Sequence, residues 1–377
     1  MRPFTLHCPT RLFFGAKAMK RLGRVARSLG SRRLLMILGC GSARENGAFA
    51  QAAASLAKAG LAWDELWGCP ANPTLDFALQ AASRAEAFGA DAVLAVGGGS
   101  VIDAAKAAAL ALKLDDPWAP FASDRDVRVA LPIFAVATAA GTGSEMNGQA
   151  VLSHDGRKRT ARGPGLFPMA AFVDPTLHAS LPWRQTLAGG VDALAHCLEY
   201  HVCGVPWTGL ALNETLQRSA VSALDRLQSC PEDVPARADL AWASILALNG
   251  TGAAGLGRGD WTCHCLAHGL AGAMPELSHG QALAALLPVW IERVMDRAPE
   301  VFDRWAQGVW GQVDRRAGLR ALRNRLSAWG APASLRELGV EETMLEAAAG
   351  LAAEHAAVGE VERMGRESLL ALLRIAL

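Results

Sequence analysis

The first half of the chain alternates short apolar segments with alanine-rich helical segments, and this alternation limits the possible folds more than any other feature. Apolar runs at residues 34–38, 92–96 and 133–136 predict buried strands, and 62–67, 147–152 and 170–175 are further strand candidates. Strands that are apolar on both faces need cover on both sides, which is typical of a parallel sheet between helices. We therefore expect an α/β domain whose ligands bind at the carboxyl ends of the strands.

A glycine-rich turn, Gly97-Gly98-Gly99-Ser100, follows the apolar run at 92–96 and precedes a predicted helix. An ordinary strand-to-helix turn needs one glycine, whereas three let backbone amides and the helix N-terminus approach a phosphate. The turn does not match G-x-G-x-x-G. A second loop of small residues, 140–145, follows the run at 133–136 at the same predicted sheet edge. The two loops together favour a Rossmann-like site for a dinucleotide.

Strand signals stop near residue 183, and helical patterns occupy the rest of the chain. They are predicted at 186–202, 209–228, 235–254, 281–295, 299–308, 315–329, 341–353 and 360–376. A chain of 377 residues is longer than one core usually serves. We expect an α/β domain at 1–182 and an all-helical domain at 183–377.

Asp192 and His196 are four residues apart, so a helix places them on one face, one turn apart. Most such pairs are salt-bridged or solvated, and one histidine on an apolar face is usually a satisfied core residue. The helical half, however, also contains His264 and His268 at the same spacing, followed by His279. One carboxylate and three imidazoles suit Zn²⁺ or Fe²⁺, so this half is expected to bind a metal.

The formal net charge is +1 and no long basic run is present, which argues against nucleic acid and anionic membranes as main partners. No segment reaches the length and hydropathy of a membrane span, and the first residues lack an apolar signal core. The eight cysteines are scattered rather than arranged as a disulfide framework. A reduced, cytoplasmic compartment is expected.

The ordered set of motifs resembles the iron-containing (group III) alcohol dehydrogenase family, of the dehydroquinate synthase-like fold. The resemblance covers nearly the whole chain and includes residues 72–74, 97–100, 140–145, 190–199, 264–269 and 279–280. It implies an NAD(P)-linked alcohol dehydrogenase or aldehyde reductase that transfers hydride between the nicotinamide and an alcohol or aldehyde held at the metal.

The resemblance also implies roles for particular residues. The metal ligands are Asp192, His196, His264 and His279, and His268 is the candidate proton relay near the substrate. Fe²⁺ is the favoured metal and Zn²⁺ the alternative. The implied cofactor-binding residues are Asn72, Gly97, Gly98, Gly99, Ser100, Asp103, Thr138, Thr142, Ser144 and Lys158.

The segment after the strand at 34–38 bears on the choice between NAD and NADP. Many NAD-specific members of the family carry an aspartate there, whose charge would repel a 2′-phosphate. Here Gly39 has no charge, and Ser42 and Arg44 can bind the phosphate. The pattern resembles the NADP-preferring members and favours NADP over NAD.

Two other functions share features of this pattern: a dehydroquinate synthase-like lyase that uses NAD transiently, and a maleylacetate reductase-type enzyme. The helical-domain motifs match the alcohol dehydrogenases better, and maleylacetate reductases often lack the aspartate that Asp192 supplies. Basic residues at 157–162 are compatible with an acidic small aldehyde as substrate, but such a cluster is more often a solvated basic face. The resemblance also implies a homodimer in which residues 4–14 pair between subunits.

Overall fold

The computed structural model describes residues 2–123, 125–205, 207–355 and 358–377. The strands lie at Arg11–Phe14 (β1), Arg33–Leu38 (β2), Ala62–Leu66 (β3), Ala92–Gly97 (β4), Ile133–Ala137 (β5), Gln149–His154 (β6), Arg157–Arg162 (β7) and Ala170–Val173 (β8). The helices lie at Leu22–Ser28 (α1), Ser42–Glu45 (α2), Ala48–Lys58 (α3), Leu75–Phe88 (α4), Gly99–Ala111 (α5), Ala119–Ala122 (α6), Trp183–His201 (α7), Trp207–Ser229 (α8), Val234–Leu248 (α9), Thr262–Ala273 (α10), His279–Val294 (α11), Pro299–Trp310 (α12), Arg315–Ala328 (α13), Glu342–Ala353 (α14) and Arg366–Ala376 (α15).

A six-stranded sheet forms the centre of the α/β part, in the order β1-β8-β5-β4-β2-β3. All of its pairings are parallel, which confirms the predicted sheet class. Every residue of β4, β5 and β8 is buried, because helices cover both faces of a parallel sheet. Strands β4 and β5 are neighbours, and the amide of Thr138 donates to the carbonyl of Gly97 at 3.0 Å. Both glycine-rich loops therefore start side by side.

The strand expected at 147–152 exists, but it does not join the parallel sheet. Strand β6 instead forms an antiparallel hairpin with β7, the segment that carries the basic residues. Asp155 and Gly156 connect the two strands with φ of +47° and +69°, as a two-residue hairpin turn requires. The Asp-Gly pair was the local signal for this hairpin.

Strand β1 adds to the edge of the sheet beside β8. Phe13 pairs with Phe172, and their rings stack at a centroid separation of 5.0 Å. In the described part of the chain β1 has a sheet neighbour on one side only.

The second half is helical, as predicted, but two predicted helices are too long. Helix α9 ends at Leu248, and Gly250 follows with φ of +97°, a conformation that ends a helix readily. Helix α15 begins at Arg366, because the backbone before it turns to meet the carboxylate of Asp260. No helix among the described residues has both the length and the apolar character needed to cross a bilayer.

The chain forms two compact units. One contains Cys8–Leu181 and Glu232–Ala241, and holds the sheet. The other contains Met1–His7, Pro182–Pro231 and Trp242–Leu377, and consists mainly of helices. The nucleotide loops belong to the first unit, and the histidine cluster belongs to the second.

Candidate metal and nucleotide sites

Helix α7 carries Asp192 and His196 one turn apart, and each is about 5 % exposed. Helix α10 brings in His264, and His279 is the first residue of α11. The start of α11 can approach α7 this closely because residue 280 is glycine. A Cβ on Gly280 would lie 2.0 Å from the carbonyl oxygen of Ala188 on α7. Close contact between α7 and the start of α11 therefore depends on a residue without a side chain.

Three imidazole nitrogens surround one carboxylate oxygen at nearly equal distances. From Oδ1 of Asp192, the Nε2 atoms lie at 3.5 Å (His264), 3.6 Å (His279) and 3.7 Å (His196). These separations are longer than hydrogen bonds. Neither Oδ1 of Asp192 nor Nε2 of His264 has a hydrogen-bond partner among the described residues, although both atoms are buried.

The donor set fits a divalent transition metal. Ligands about 2.0–2.2 Å from an ion at the centre of a tetrahedron lie about 3.3–3.6 Å from one another. The three distances from Oδ1 of Asp192 are close to that range, and the ligand atoms of Asp192, His196 and His264 all lie within 4.8 Å of one another. Buried polar atoms without partners are costly unless they are ligated, so the chemistry and the spacing of these atoms agree.

Burial and neighbouring charges set the protonation of these groups. Burial lowers the pKa of His196 to about 4, which leaves a neutral imidazole with a lone pair. Burial also opposes the charged form of His264, but Glu199 and Asp192 outweigh it and raise its pKa to about 9. Burial would raise the pKa of Asp192, but the imidazoles hold it well below its usual range. A divalent cation would take the place of the proton on His264.

Glu199 is a functional residue that the sequence analysis did not assign. It has no exposed surface, and its Oε2 accepts a hydrogen bond from Nδ1 of His264. Its Oε1 accepts from the amide of Cys263 at 2.7 Å. Proton donation by Nδ1 leaves the lone pair on Nε2, which faces Asp192. The signal was its position on α7, two turns after Asp192 on the same face.

Trp261 packs against the cluster from the start of α10. Its ring stands edge-on to His264, with centroids 5.2 Å apart, and to Tyr200 at 5.0 Å. Its φ of +59° is in the left-handed region, which is costly for a large side chain. The neighbouring Asp260 fixes this backbone: one carboxylate oxygen accepts from the amides of Glu360 and Val361 at 2.7 and 2.9 Å.

His268 lies one turn after His264 on α10, outside the ligand cluster. Its ring centroid is 5.3 Å from that of His279 and 5.9 Å from that of His355. The structure thus brings His268 beside His279, one of the predicted metal ligands. His355 carries no sequence motif, and only the structure brings it to this place.

In the α/β unit, the loop Gly97–Ser100 joins β4 to α5, with Gly98 at the N-cap. A Cβ on Gly99 would lie 2.4 Å from Oγ1 of Thr142, so the second loop packs directly on the first. The first turn of α5 contains no acidic residue that would repel an anion at the helix N-terminus.

A buried network connects α5 to the second loop. Nζ of Lys106 donates to Oγ of Ser144 at 2.9 Å and to the carbonyl oxygens of Asn147 and Gln149. The carboxylate of Asp103 accepts from Oγ of Ser144 at 2.6 Å and from the amide of Val151 at 3.1 Å. Thr138 is also buried. In this structure Asp103 and Ser144 bind other parts of the protein and hold the loops together.

The remaining predicted cofactor residues lie around the same loops. Nζ of Lys158, on β7, donates to Oδ1 of Asn72 at 2.7 Å. The guanidinium of Arg44 stacks on the ring of Trp67 at 4.0 Å, and Ser42 starts the short helix α2. Gly39 lies against the side chain of Val101.

Models of one protein family match both halves of the chain. The family model for iron-containing alcohol dehydrogenase matches residues 9–175, and the model for the C-terminal part of the Fe-containing alcohol dehydrogenase family matches 186–377. The NADH-dependent butanol dehydrogenase B of Clostridium acetobutylicum is 32 % identical over 361 residues, covering 92 % of each chain. The NADPH-dependent aldehyde reductase YqhD of Escherichia coli is 31 % identical over 370 residues, covering 94 % of each.

A solved structure gives the same result in three dimensions. The NADH-dependent butanol dehydrogenase A of Thermotoga maritima superimposes with a TM-score of 0.96 at 34 % sequence identity. The match covers 100 % of this chain and 99 % of that one.

Proposed function

This chain belongs to the iron-containing alcohol dehydrogenase family, and on that premise we propose that it interconverts primary alcohols and aldehydes with NADP(H) at a ferrous centre. It is a nicotinamide-linked oxidoreductase. The observation that carries the proposal is the set of three Nε2 atoms 3.5–3.7 Å from Oδ1 of Asp192.

Asp192, His196, His264 and His279 would hold the metal, and Glu199 would fix the tautomer of His264. When bound, the metal supplies Lewis acidity toward the substrate oxygen, and the nicotinamide donates or accepts the hydride. A single carboxylate leaves the site with net positive charge, which suits an oxygen that gains negative charge. Fe²⁺ is the proposed ion and Zn²⁺ the alternative, since imidazole and carboxylate accept both.

His268 is the proposed proton donor and acceptor. It lies beside His279 without belonging to the ligand cluster, and imidazole exchanges protons readily near neutral pH. Its imidazole would hold the proton that the substrate hydroxyl loses, and return it in the reverse direction.

NADP(H) is the proposed cofactor rather than NAD(H). Gly97–Ser100 and the N-terminus of α5 would bind the pyrophosphate. Arg44 is supported from one side by Trp67, which leaves the edge of its guanidinium for a phosphate. Gly39 carries no negative charge that would repel a 2′-phosphate.

Two classes of aldehyde are candidate substrates. Aliphatic aldehydes are the first candidates, because similar enzymes are butanol dehydrogenases and an aldehyde reductase. Basic residues on β7 make an acidic aldehyde the second candidate.

A homodimer is proposed through residues 4–14, where Phe4 is 52 % exposed and β1 is an edge strand.

One experiment tests the proposal and separates the alternatives. The purified protein would be analysed for metal, stripped, reloaded with Fe²⁺ or Zn²⁺, and assayed with butanal and a carboxylate-bearing aldehyde, using NADPH and NADH. We expect net loss of reduced-nicotinamide absorbance, fastest with Fe²⁺ and NADPH. Metal binding without net cofactor oxidation would contradict the proposal and favour the lyase.

A further inference from the structure

Two cysteines follow neighbouring strands of the sheet, each just past the end of its strand. Cys40 lies three residues past Ile37 on β2, and Cys69 lies three residues past Leu66 on β3. Ile37 and Leu66 are the last paired residues of these strands. Beyond these strands, the amide of Gly68 donates to the carbonyl of Gly39 at 3.3 Å, and the amide of Cys69 donates to the carbonyl of Leu38 at 3.1 Å. The segments that carry the two cysteines are therefore in contact where they leave the sheet.

Their separation is compatible with a disulfide. Disulfides join Cα atoms about 4.4–6.8 Å apart, so the two cysteines must be immediate neighbours. Sγ of Cys40 is already 3.9 Å from the carbonyl oxygen of Cys69. Burial raises the pKa of Cys69 to about 12, so this thiol is protonated near neutral pH.

The two thiols differ in access and contacts. Cys40 is exposed, whereas Cys69 is 5 % exposed. Sγ of Cys69 donates to the carbonyl oxygen of Ser100 at 3.6 Å, within the loop proposed to bind the pyrophosphate. Cys40 is flanked by Gly39 and by the segment that leads to Ser42. A bond between the cysteines would change both loops at once.

We propose that Cys40 and Cys69 form a reversible disulfide that weakens nucleotide binding. This inference rests on the proposed role of the two loops as the nucleotide site. The oxidant is a small-molecule disulfide such as glutathione disulfide. The Cys40 thiolate attacks one of its sulfurs, forms a mixed disulfide and releases one thiolate. Cys69, once deprotonated, attacks the Cys40 sulfur, forms the protein disulfide and releases the second thiolate. Two protein thiols are oxidised and one disulfide is reduced to two thiols.

The metal-loaded protein would be treated with glutathione disulfide, digested without reduction and examined by mass spectrometry. NADPH binding would be measured by fluorescence titration before treatment, after treatment and after dithiothreitol. We expect a peptide linked through residues 40 and 69, an affinity for NADPH about tenfold weaker or more, and recovery on reduction. Cys69→Ser should accumulate the mixed disulfide at Cys40, whereas Cys230→Ser, at the other exposed cysteine, should behave as the parent.

Two results would overturn the inference: Cys40 modified in Cys69→Ser with no 40–69 link in the parent protein, or a link with unchanged NADPH affinity. A reduced protein that binds neither NADPH nor NADH would instead reject the proposed nucleotide site, and the coupling with it.

Discussion

Nδ1 of His264 donates a hydrogen bond to Oε2 of Glu199, a carboxylate with no exposed surface. This bond orients Nε2 of His264 toward Asp192, 3.5 Å away. The proposed ligand set therefore depends on a residue outside it.

Replacing Glu199 should weaken metal binding. We expect Glu199→Gln to lower metal affinity about 10–100-fold, because an uncharged amide holds the Nδ1 proton less strongly. Titration of the stripped protein against a chelator of known affinity measures this. Glu214→Gln is the matched control. It also removes a buried carboxylate, one that pairs with Arg304 instead of a histidine, and it should retain the parent metal affinity. Equal affinities in the two variants would disprove the role of Glu199.

Removing Asp192 should abolish metal binding and activity together. Asp192→Ala deletes the oxygen around which the three imidazoles are arranged, and leaves a site with no negative charge. Elemental analysis and turnover, measured on the same preparation, give the result. Asp76→Ala, on the exposed side of α4, should keep both. Full metal occupancy with normal turnover in Asp192→Ala would refute the assignment.

Adding one methyl group at Gly280 should disturb the centre without changing any ligand. Its Cβ would meet the carbonyl of Ala188 at 2.0 Å, so α11 and His279 must shift. We expect Gly280→Ala to lose about 1–3 kcal/mol of unfolding free energy and part of its metal. Denaturant unfolding and metal analysis provide the readouts.

Gly350→Ala is the control for that substitution. Gly350 lies inside α14, where the nearest atom to an added Cβ is Nε of Arg366, at an ordinary contact distance of 3.9 Å. This variant should gain about 0.5–1 kcal/mol. Similar unfolding energies and metal contents for both glycine variants would argue against a close-packed α7–α11 contact.

Arg44 should decide between the two nucleotides. Arg44→Ala removes the cation that Trp67 supports, so we expect NADPH to bind about 10–100-fold more weakly while NADH changes little. The KM values for both cofactors measure this, with Arg24→Ala on the exposed face of α1 as control. An unchanged ratio of NADPH to NADH preference would show that Arg44 does not bind the 2′-phosphate.

His178 should make the protein sensitive to acid. It is 1 % exposed, lies 3.0 Å from the carbonyl of Ala137 at the end of β5, and burial lowers its pKa to about 4. The unfolded state binds the proton first, from about pH 6.5 downward. The neutral, buried imidazole of His178 therefore contributes fully to the free energy of unfolding above about pH 6.5. This contribution is lost as the pH falls toward 4, and the loss reaches about 3 kcal/mol.

Unfolding titrations between pH 4 and 7 should show a shallower slope for His178→Gln than for the parent. His7→Gln, at an exposed position, should leave the slope unchanged. Parallel curves for the parent and His178→Gln would contradict this reading of His178.

Local patterns in the sequence were enough to predict many of the elements. The apolar runs predicted β2, β4 and β5, and their continuity on both faces predicted a parallel sheet. The hairpin of β6 and β7 was missed, although its Asp155-Gly156 turn is a recognised hairpin signal. The ends of α9 and α15 were misplaced, since a glycine turn and the contacts of Asp260 override helical periodicity there.

By itself, the sequence determined which residues share a turn or follow a strand: Asp192 with His196, and three glycines after β4. These relationships span a few residues, and helix and strand geometry dictates them. Only the tertiary structure decided that Glu199 supports His264, 65 positions away, and that Cys40 lies beside Cys69. Such pairs depend on which helices pack together and on the order of strands in the sheet, which are set by the joint burial of many distant apolar residues and are not encoded in any short segment.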